Sequence, residues 1–343
     1  MDELNKILNK AINNGCSDVH LKVGNKPLFR KNGILIVSGE NVITKNLMNN
    51  FIGILSNIDK EILEEVGEVD FSYTASEARF RGNAFVERGN YSFSFRTIPK
   101  YVPTIEELSL PPIMKRLCDL DRGLILVTGP TGSGKSTTLA SMINYINKTK
   151  KKRIITLEDP IEYYHADINS NIVQREVGKS KDTKSFSNGL RASLRQDPDV
   201  ILVGEMRDLE TISTAISASE TGHLVFSTLH SIDTASTIER IIDVFPSEQQ
   251  NTVKIQLANV LAGVISQRLL LKADQSGRVA SFEILLNNNA TANLIRTNKL
   301  SQIQSVIESN RGIGMRTMKD SFDELVEKGI VEESEIERYK NNF

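Results

Sequence analysis

The chain has 343 residues, 39% hydrophobic and 25% charged, an ordinary globular composition that is long for one core and so predicts two domains. A net charge of −1 and an isoelectric point near 6.5 give no electrostatic reason to expect nucleic acid as the main partner, and the basic run at 148–153 reads as a solvated helix end. Two widely separated cysteines, Cys16 and Cys118, exclude a four-cysteine zinc site. No apolar run approaches a membrane span and residues 1–12 lack a signal peptide's apolar centre, so a cytoplasmic protein is expected.

Leu4, Ile7, Leu8, Ala11 and Ile12 recur at helical spacing, and residues 18–23 alternate as a strand does. Further strands are predicted at 27–30, 34–38, 70–74, 79–87 and 92–97, with turns at Asn32-Gly33 and Gly89-Asn90. Residues 1–98 therefore read as a small α+β domain. Four of the nine prolines stand at 99, 103, 111 and 112, which marks 99–112 as a linker. Beyond it, strands at 124–128, 154–157, 200–203 and 224–228 alternate with helices to 146, at 185–195 and at 209–219. That alternation predicts a mostly parallel sheet covered by helices, within a second domain spanning 113–343. From Ser247 onward a largely helical chain is expected, apart from a short hairpin-like piece near Gly277.

The residues Gly129, Pro130, Thr131, Gly132, Ser133, Gly134, Lys135, Ser136 and Thr137 fit G-x-x-x-x-G-K-[ST] between an apolar strand and a helix. Glycines let backbone N–H groups converge on phosphate oxygens, and the helix N-terminus adds positive potential. Lys135 is expected to reach the β- and γ-phosphates of ATP, and the Ser136 hydroxyl to hold Mg²⁺.

Triphosphate hydrolysis also needs a metal anchor, a group that orients water and positive charge against the transition state. Val200 to Val203, then Gly204 and Glu205, form an apolar strand ending in a carboxylate, a Walker B arrangement with the acid displaced by a glycine. Glu158, Asp159 and Glu162 cluster past another strand; helix capping accounts for Asp159 but not for a cluster. Glu162 is expected to polarise the attacking water with Glu158 nearby, and Glu205 to hold the metal through water, although the sequence leaves Glu162 and Glu205 free to exchange roles. His223 and His230 bracket the strand at 224–228, where they are either satisfied polar residues or contacts to phosphates or a subunit boundary. Arg79, Arg81 and Arg96 lie on N-terminal strands with no evident acidic partner, and Arg122 precedes the loop strand; they are surface residues or act on nucleotide in a neighbouring subunit.

Taken in order, the phosphate loop, the acid box at 156–162, the stretch Val203-Gly204-Glu205-Met206-Arg207-Asp208 and the histidine box at 221–230 resemble the secretion ATPases of type II secretion and type IV pilus machines, across the whole chain. Arg79-Phe80-Arg81, Phe95-Arg96-Thr97 and the stretch at 194–199 make the resemblance greatest to the pilus retraction ATPases. The resemblance implies a RecA-like P-loop ATPase core with a smaller PAS-like N-terminal domain, a homo-hexameric ring with ATP between the domains, and force from their rotation. It implies nucleotide roles for His223, His230 and Arg207, and favours Arg81 and Arg96 among the arginines. The partners it implies are an inner-membrane platform protein and, indirectly, pilin, with the ring peripheral to the inner face of the membrane. A C-terminal helix motif of these ATPases, Ala-Ile-Arg-Asn-Leu-Ile-Arg-Glu, is matched at five of eight positions by residues 290–297. Two other readings are a nucleotide-binding accessory subunit with little turnover and a DNA-translocating motor, the latter disfavoured by the near-zero net charge.

Overall fold

A computed structural model describes residues 2–31, 34–38, 41–75, 78–98, 101–178 and 181–340; the expected Asn32-Gly33 turn and Pro99 lie outside them. The chain divides into two units, one formed by Met1–Tyr101 with Glu162–Tyr164, the other by Val102–Ile161 with His165–Phe343.

In the first unit α1 (Asp2–Asn13) is followed by β1 (Asp18–Lys22), β2 (Leu28–Lys31), β3 (Ile34–Val37), α2 (Lys45–Phe51), α3 (Asn57–Val66), β4 (Glu68–Ala75), β5 (Ala78–Glu87) and β6 (Asn90–Ile98). The strands form one antiparallel sheet in the order β3-β2-β1-β6-β5-β4. The apolar stripe of α1, Leu4, Ile7 and Leu8, closes a core with Phe71, Phe80, Phe93 and Phe95. The β5–β6 turn falls at Arg88-Gly89, one residue before the expected Gly89-Asn90, since Glu87 pairs with Asn90 and the two turn residues take φ of 49° and 73°. A two-residue hairpin turn of that twist needs positive φ at both positions.

The second unit contains α4 (Ile113–Cys118), β7 (Gly123–Thr128), α5 (Lys135–Thr149), β8 (Arg153–Glu158), β9 (Asn171–Glu176), α6 (Phe186–Ser193), β10 (Val200–Val203), α7 (Leu209–Glu220), β11 (Leu224–Leu229) and α8 (Thr234–Asp243). It continues through α9 (Ser247–Val260), β12 (Leu261–Leu271), β13 (Arg278–Leu286), α10 (Asn289–Arg296), α11 (Ile303–Ser309), α12 (Met318–Glu327) and α13 (Glu333–Lys340). Its sheet runs β13-β12-β7-β11-β10-β8-β9, parallel except for the antiparallel edge strand β13. β7, β10 and β11 are buried along their whole length, as unbroken apolar runs must be when helices cover both faces. Ile105 and Leu110, from the Pro-rich stretch, belong to the same core.

The C-terminal third departs from the helical expectation. Strands β12 and β13 are 11 and 9 residues long and pair over nine positions, where only a short hairpin near Gly277 was predicted. The reason is physical: β12 is buried on both faces, so its apolar residues show no period of two, and it leaves α9 with no intervening Gly or Pro. The edge strand β9, half-buried throughout most of its length, also carries no strong pattern.

Candidate nucleotide site

At the C-terminal ends of the parallel strands, where open α/β sheets receive ligands, three segments converge. β7 ends at Thr128 and the chain turns through Gly129 at φ 143°; Gly134, at φ 88°, then caps α5. Neither position tolerates a side chain. A Cβ on Gly129 would lie 2.3 Å from the Gln267 carbonyl oxygen, and one on Gly134 2.8 Å from the Gln267 side-chain nitrogen. Helix α5 thus starts at Lys135 with its free N–H groups and positive dipole end at the loop. Lys135 is buried, and its Nζ donates to the carbonyls of Gly129 at 2.8 Å and Pro130 at 3.0 Å, folding the ammonium back over the loop. Pro130, Thr131 and Ser136 are exposed beside it, which leaves the Ser136 hydroxyl accessible at the first turn.

The second segment is Gly204 to Met206, just past β10. It is tied to β11, since Thr228 Oγ1 donates to the Gly204 carbonyl at 2.6 Å and Met206 N–H donates to the Thr228 carbonyl at 3.1 Å. Glu205 accepts from Arg207 Nε at 2.8 Å and lies 3.7 Å from Nε2 of His230, the third segment's leading residue. The His230 carbonyl is held by Arg240 Nη1 at 2.8 Å. Burial is the main cause that pulls the His230 imidazole below its ordinary range, the Lys135 charge is the next, and Glu205 opposes both. Lys135, Glu205 and His230 therefore share one electrostatic neighbourhood, with the imidazole neutral at pH 7.

Other predicted residues fall elsewhere. Glu158 is engaged locally, accepting from Thr156 Oγ1 at 2.6 Å and Gln174 Nε2 at 3.1 Å. Glu162 belongs with Tyr163 and Tyr164 to the first unit, where the Arg79 guanidinium stacks over the Tyr164 ring at 4.4 Å. Two of the three N-terminal arginines with no evident acidic partner in sequence have one in the fold: Arg96 Nε lies 3.0 Å from Asp18 Oδ1 and Arg81 Nη2 3.9 Å from Asp70 Oδ2. Both are cross-strand neighbours, which linear sequence does not display; Asp18 is opposite Arg96 in register.

His223, for which a nucleotide role is expected, stands away from the phosphate loop of its own chain. It precedes β11 at the opposite end of the sheet, its carbonyl accepting from Gly123 N–H at 3.0 Å and its Nδ1 2.9 Å from the Ala218 carbonyl. The six residues of β11 put roughly 20 Å between it and the loop end of its own chain, at about 3.3 Å per residue. Arg207, exposed, is bound to Glu205 rather than to the loop.

Sequence reasoning missed Gln267 of β12. Its Nε2 donates to the Ser133 carbonyl at 2.7 Å, and its Oε1 accepts from Thr138 Oγ1 at 2.7 Å. The available signal was Ser266-Gln267-Arg268, a polar triplet inside an otherwise apolar eleven-residue run.

A mostly parallel sheet with a glycine loop capping a helix after an interior strand, and a carboxylate at the end of a strand one place beyond its neighbour, defines a P-loop nucleotide-binding protein. The chain belongs to the family described as "Type II/IV secretion system protein", which matches residues 1–338. It is 45% identical to the type IV pilus retraction ATPase PilT of Pseudomonas aeruginosa over 96% of this chain and 95% of that protein. It is 49% identical to a twitching motility protein of Neisseria gonorrhoeae, over 86% of this chain and 78% of that one. Among solved structures, the pilus retraction motor PilT with bound ADP superposes with a TM-score of 0.90 at 46% identity, covering 96% of this chain and 95% of that one. The ATPase DotB of Legionella pneumophila gives 0.81 at 26% identity, over 99% and 95% of the two chains. These likenesses agree with the expected fold class, an ATPase core with a smaller N-terminal domain.

Proposed function

We propose that this chain is an ATP-hydrolysing motor that drives retraction of type IV pili. The observation that carries the reading is the assembly of Lys135, Glu205 and His230 at the phosphate loop in a chain alignable almost end to end with a retraction ATPase. The loop backbone and the α5 N-terminus hold the phosphates, and Lys135 exchanges its two loop carbonyls for phosphate oxygens. Neutral His230 donates a hydrogen bond toward the terminal phosphate without adding charge.

The donor set suits Mg²⁺. Among the described residues no cluster of three or more His, Cys, Asp or Glu is gathered to hold a metal, so a cation here depends on phosphate oxygens, the Ser136 hydroxyl and water held by Glu205. When bound, Mg²⁺ neutralises charge on the β- and γ-phosphates. Glu162, part of the first unit, is the residue that orients the attacking water, with Arg81 and Arg96 of the same unit acting on nucleotide; a homo-hexameric ring supplies the neighbours. Among the described residues no helix is long and apolar enough to cross a membrane. The ring acts at the membrane's inner face through a platform protein, and through it on pilin.

The test pairs a cell with an enzyme. Deleting the gene leaves cells piliated but unable to twitch, whereas loss of pili points to an extension motor. In vitro, Lys135→Ala lowers ATP hydrolysis at least about a hundredfold. Equal negligible rates in wild type and variant would leave a nucleotide-binding accessory subunit instead.

A further inference from the structure

Strand β12 presents two different faces. Ser266 pairs with Thr128, the last residue of β7, so Gln267 comes level with the first glycine of the loop. On the loop side Gln267 and Leu269 line a cavity of about 270 Å³ with Gly134, Thr137 and Thr138. On the other side Leu270 packs with Met318, Phe322 and Ile336, and the Arg268 guanidinium lies 5.5 Å from the Tyr339 ring centroid. Helix α13 is joined to the same strand by Tyr339 Oη to the Leu269 carbonyl and by Leu271 N–H to Glu335, both at 3.2 Å.

Gln267 is 2% exposed, and its side chain spends its amide donor and its acceptor on either side of the lysine: the Ser133 carbonyl in the loop before it and the Thr138 hydroxyl in the first turn of α5 after it. A buried amide with both ends satisfied by 2.7 Å bonds is a rigid spacer, since rotating it breaks both bonds at once. Its own backbone carbonyl closes against Gly129 from the same strand. The loop and the first turn of α5 are thus tied by two hydrogen bonds to one residue, whose backbone carbonyl also leaves no room for a side chain at Gly129.

We infer that Gln267 is a positioning residue for the phosphate loop, fixing the curvature in which the loop's N–H groups converge on the nucleotide's phosphates. The inference rests on the nucleotide-binding reading given above. It also makes β12 the element through which the C-terminal helices contact the loop's support. Because Gln267 works through the loop backbone, its loss weakens every ligand held by phosphate alike, whatever base it carries. A residue of the adjoining cavity that touched the base would discriminate between them.

The experiment compares the full chain with Gln267→Met, which keeps the volume and removes both side-chain bonds, by calorimetric titration with ADP, GDP and inorganic tripolyphosphate. Wild type that binds none of the three refutes the nucleotide reading itself. Given wild-type binding, the variant weakens all three by about tenfold, and KM for ATP rises by a similar factor while kcat stays within about threefold, as expected for support common to ground and transition states. Unchanged affinities, or ADP weakened with tripolyphosphate unaffected, overturn the inference. Should Gln267→Met fail to fold, Thr138→Val removes one of the two bonds and carries the same comparison at about threefold; equal affinities there overturn it. Gln267→Glu keeps the Thr138 bond and sets a carboxylate against the Ser133 carbonyl, so it weakens all three ligands at least as much as Thr138→Val.

Discussion

The two histidines that bracket β11 look alike in sequence and differ in nearly every physical respect. His230 leaves the strand at its C-terminal end, beside Glu205 and close enough to Lys135 for its charge to depress the imidazole. His223 enters at the N-terminal end, where its ring meets the Ala218 carbonyl and Thr221 Oγ1 and its backbone closes the α7–β11 turn. In a parallel sheet the strands' C-terminal ends gather loops and helix N-termini, so a polar residue there meets phosphate, whereas the other end gathers helix C-termini. Within one chain the two histidines of the box therefore stand at opposite ends of one strand, with different neighbours.

The sharpest way to break that contrast begins with Glu205. Glu205→Gln keeps the shape and the Arg207 contact but removes the charge beside His230, and kcat for ATP falls by about a thousandfold while ADP affinity stays within a few-fold, measured by phosphate release and calorimetry. Retained turnover would remove this end of the sheet from the chemistry. His230→Asn follows with a fall of about ten- to a hundredfold in kcat, and His223→Asn leaves ADP affinity of the same chain within about twofold. Equal losses in the two histidine variants would show that the ends are coupled after all. If His223 serves a subunit boundary, its variant instead alters oligomer size in sedimentation, with nucleotide binding intact.

What the sequence discloses follows from how local each signal is. The phosphate loop was legible because its glycines, its lysine and its flanking strand and helix lie within some thirty residues and each has its own chemistry. The acid after β10 was legible for the same reason. The acidic partners of Arg81 and Arg96 were not, because they are made by strand pairing, and Gln267 was not, because a chain reading has no means to set it against Ser133. Strand β12 itself escaped because full burial erases alternation. The grouping of Glu162 with the first unit is likewise a tertiary fact, since its sequence neighbours Ile161 and His165 belong to the second.

His165 belongs to neither end of β11 and supplies the smallest effect on activity. Its ring is half-buried, with Nδ1 shut from solvent and unpartnered, and desolvation pushes the imidazole down to about 4. An unfolded chain protonates this residue near 6.5. Above that pH neither state binds the proton and nothing is lost. As pH falls from 6.5 toward 4 the unfolded chain alone takes it up, so the fold loses stability on the order of 3 kcal/mol, and below 4 the loss levels off as the folded state is protonated too. His165→Leu removes this dependence. Its stability relative to wild type, from urea melts at pH 7, 5.5 and 4.5, improves steadily as the pH falls, while ATP hydrolysis at pH 7 stays within about twofold. A gap that is constant across that range would mean the imidazole is protonated in the folded chain as readily as in the unfolded one, contrary to its burial.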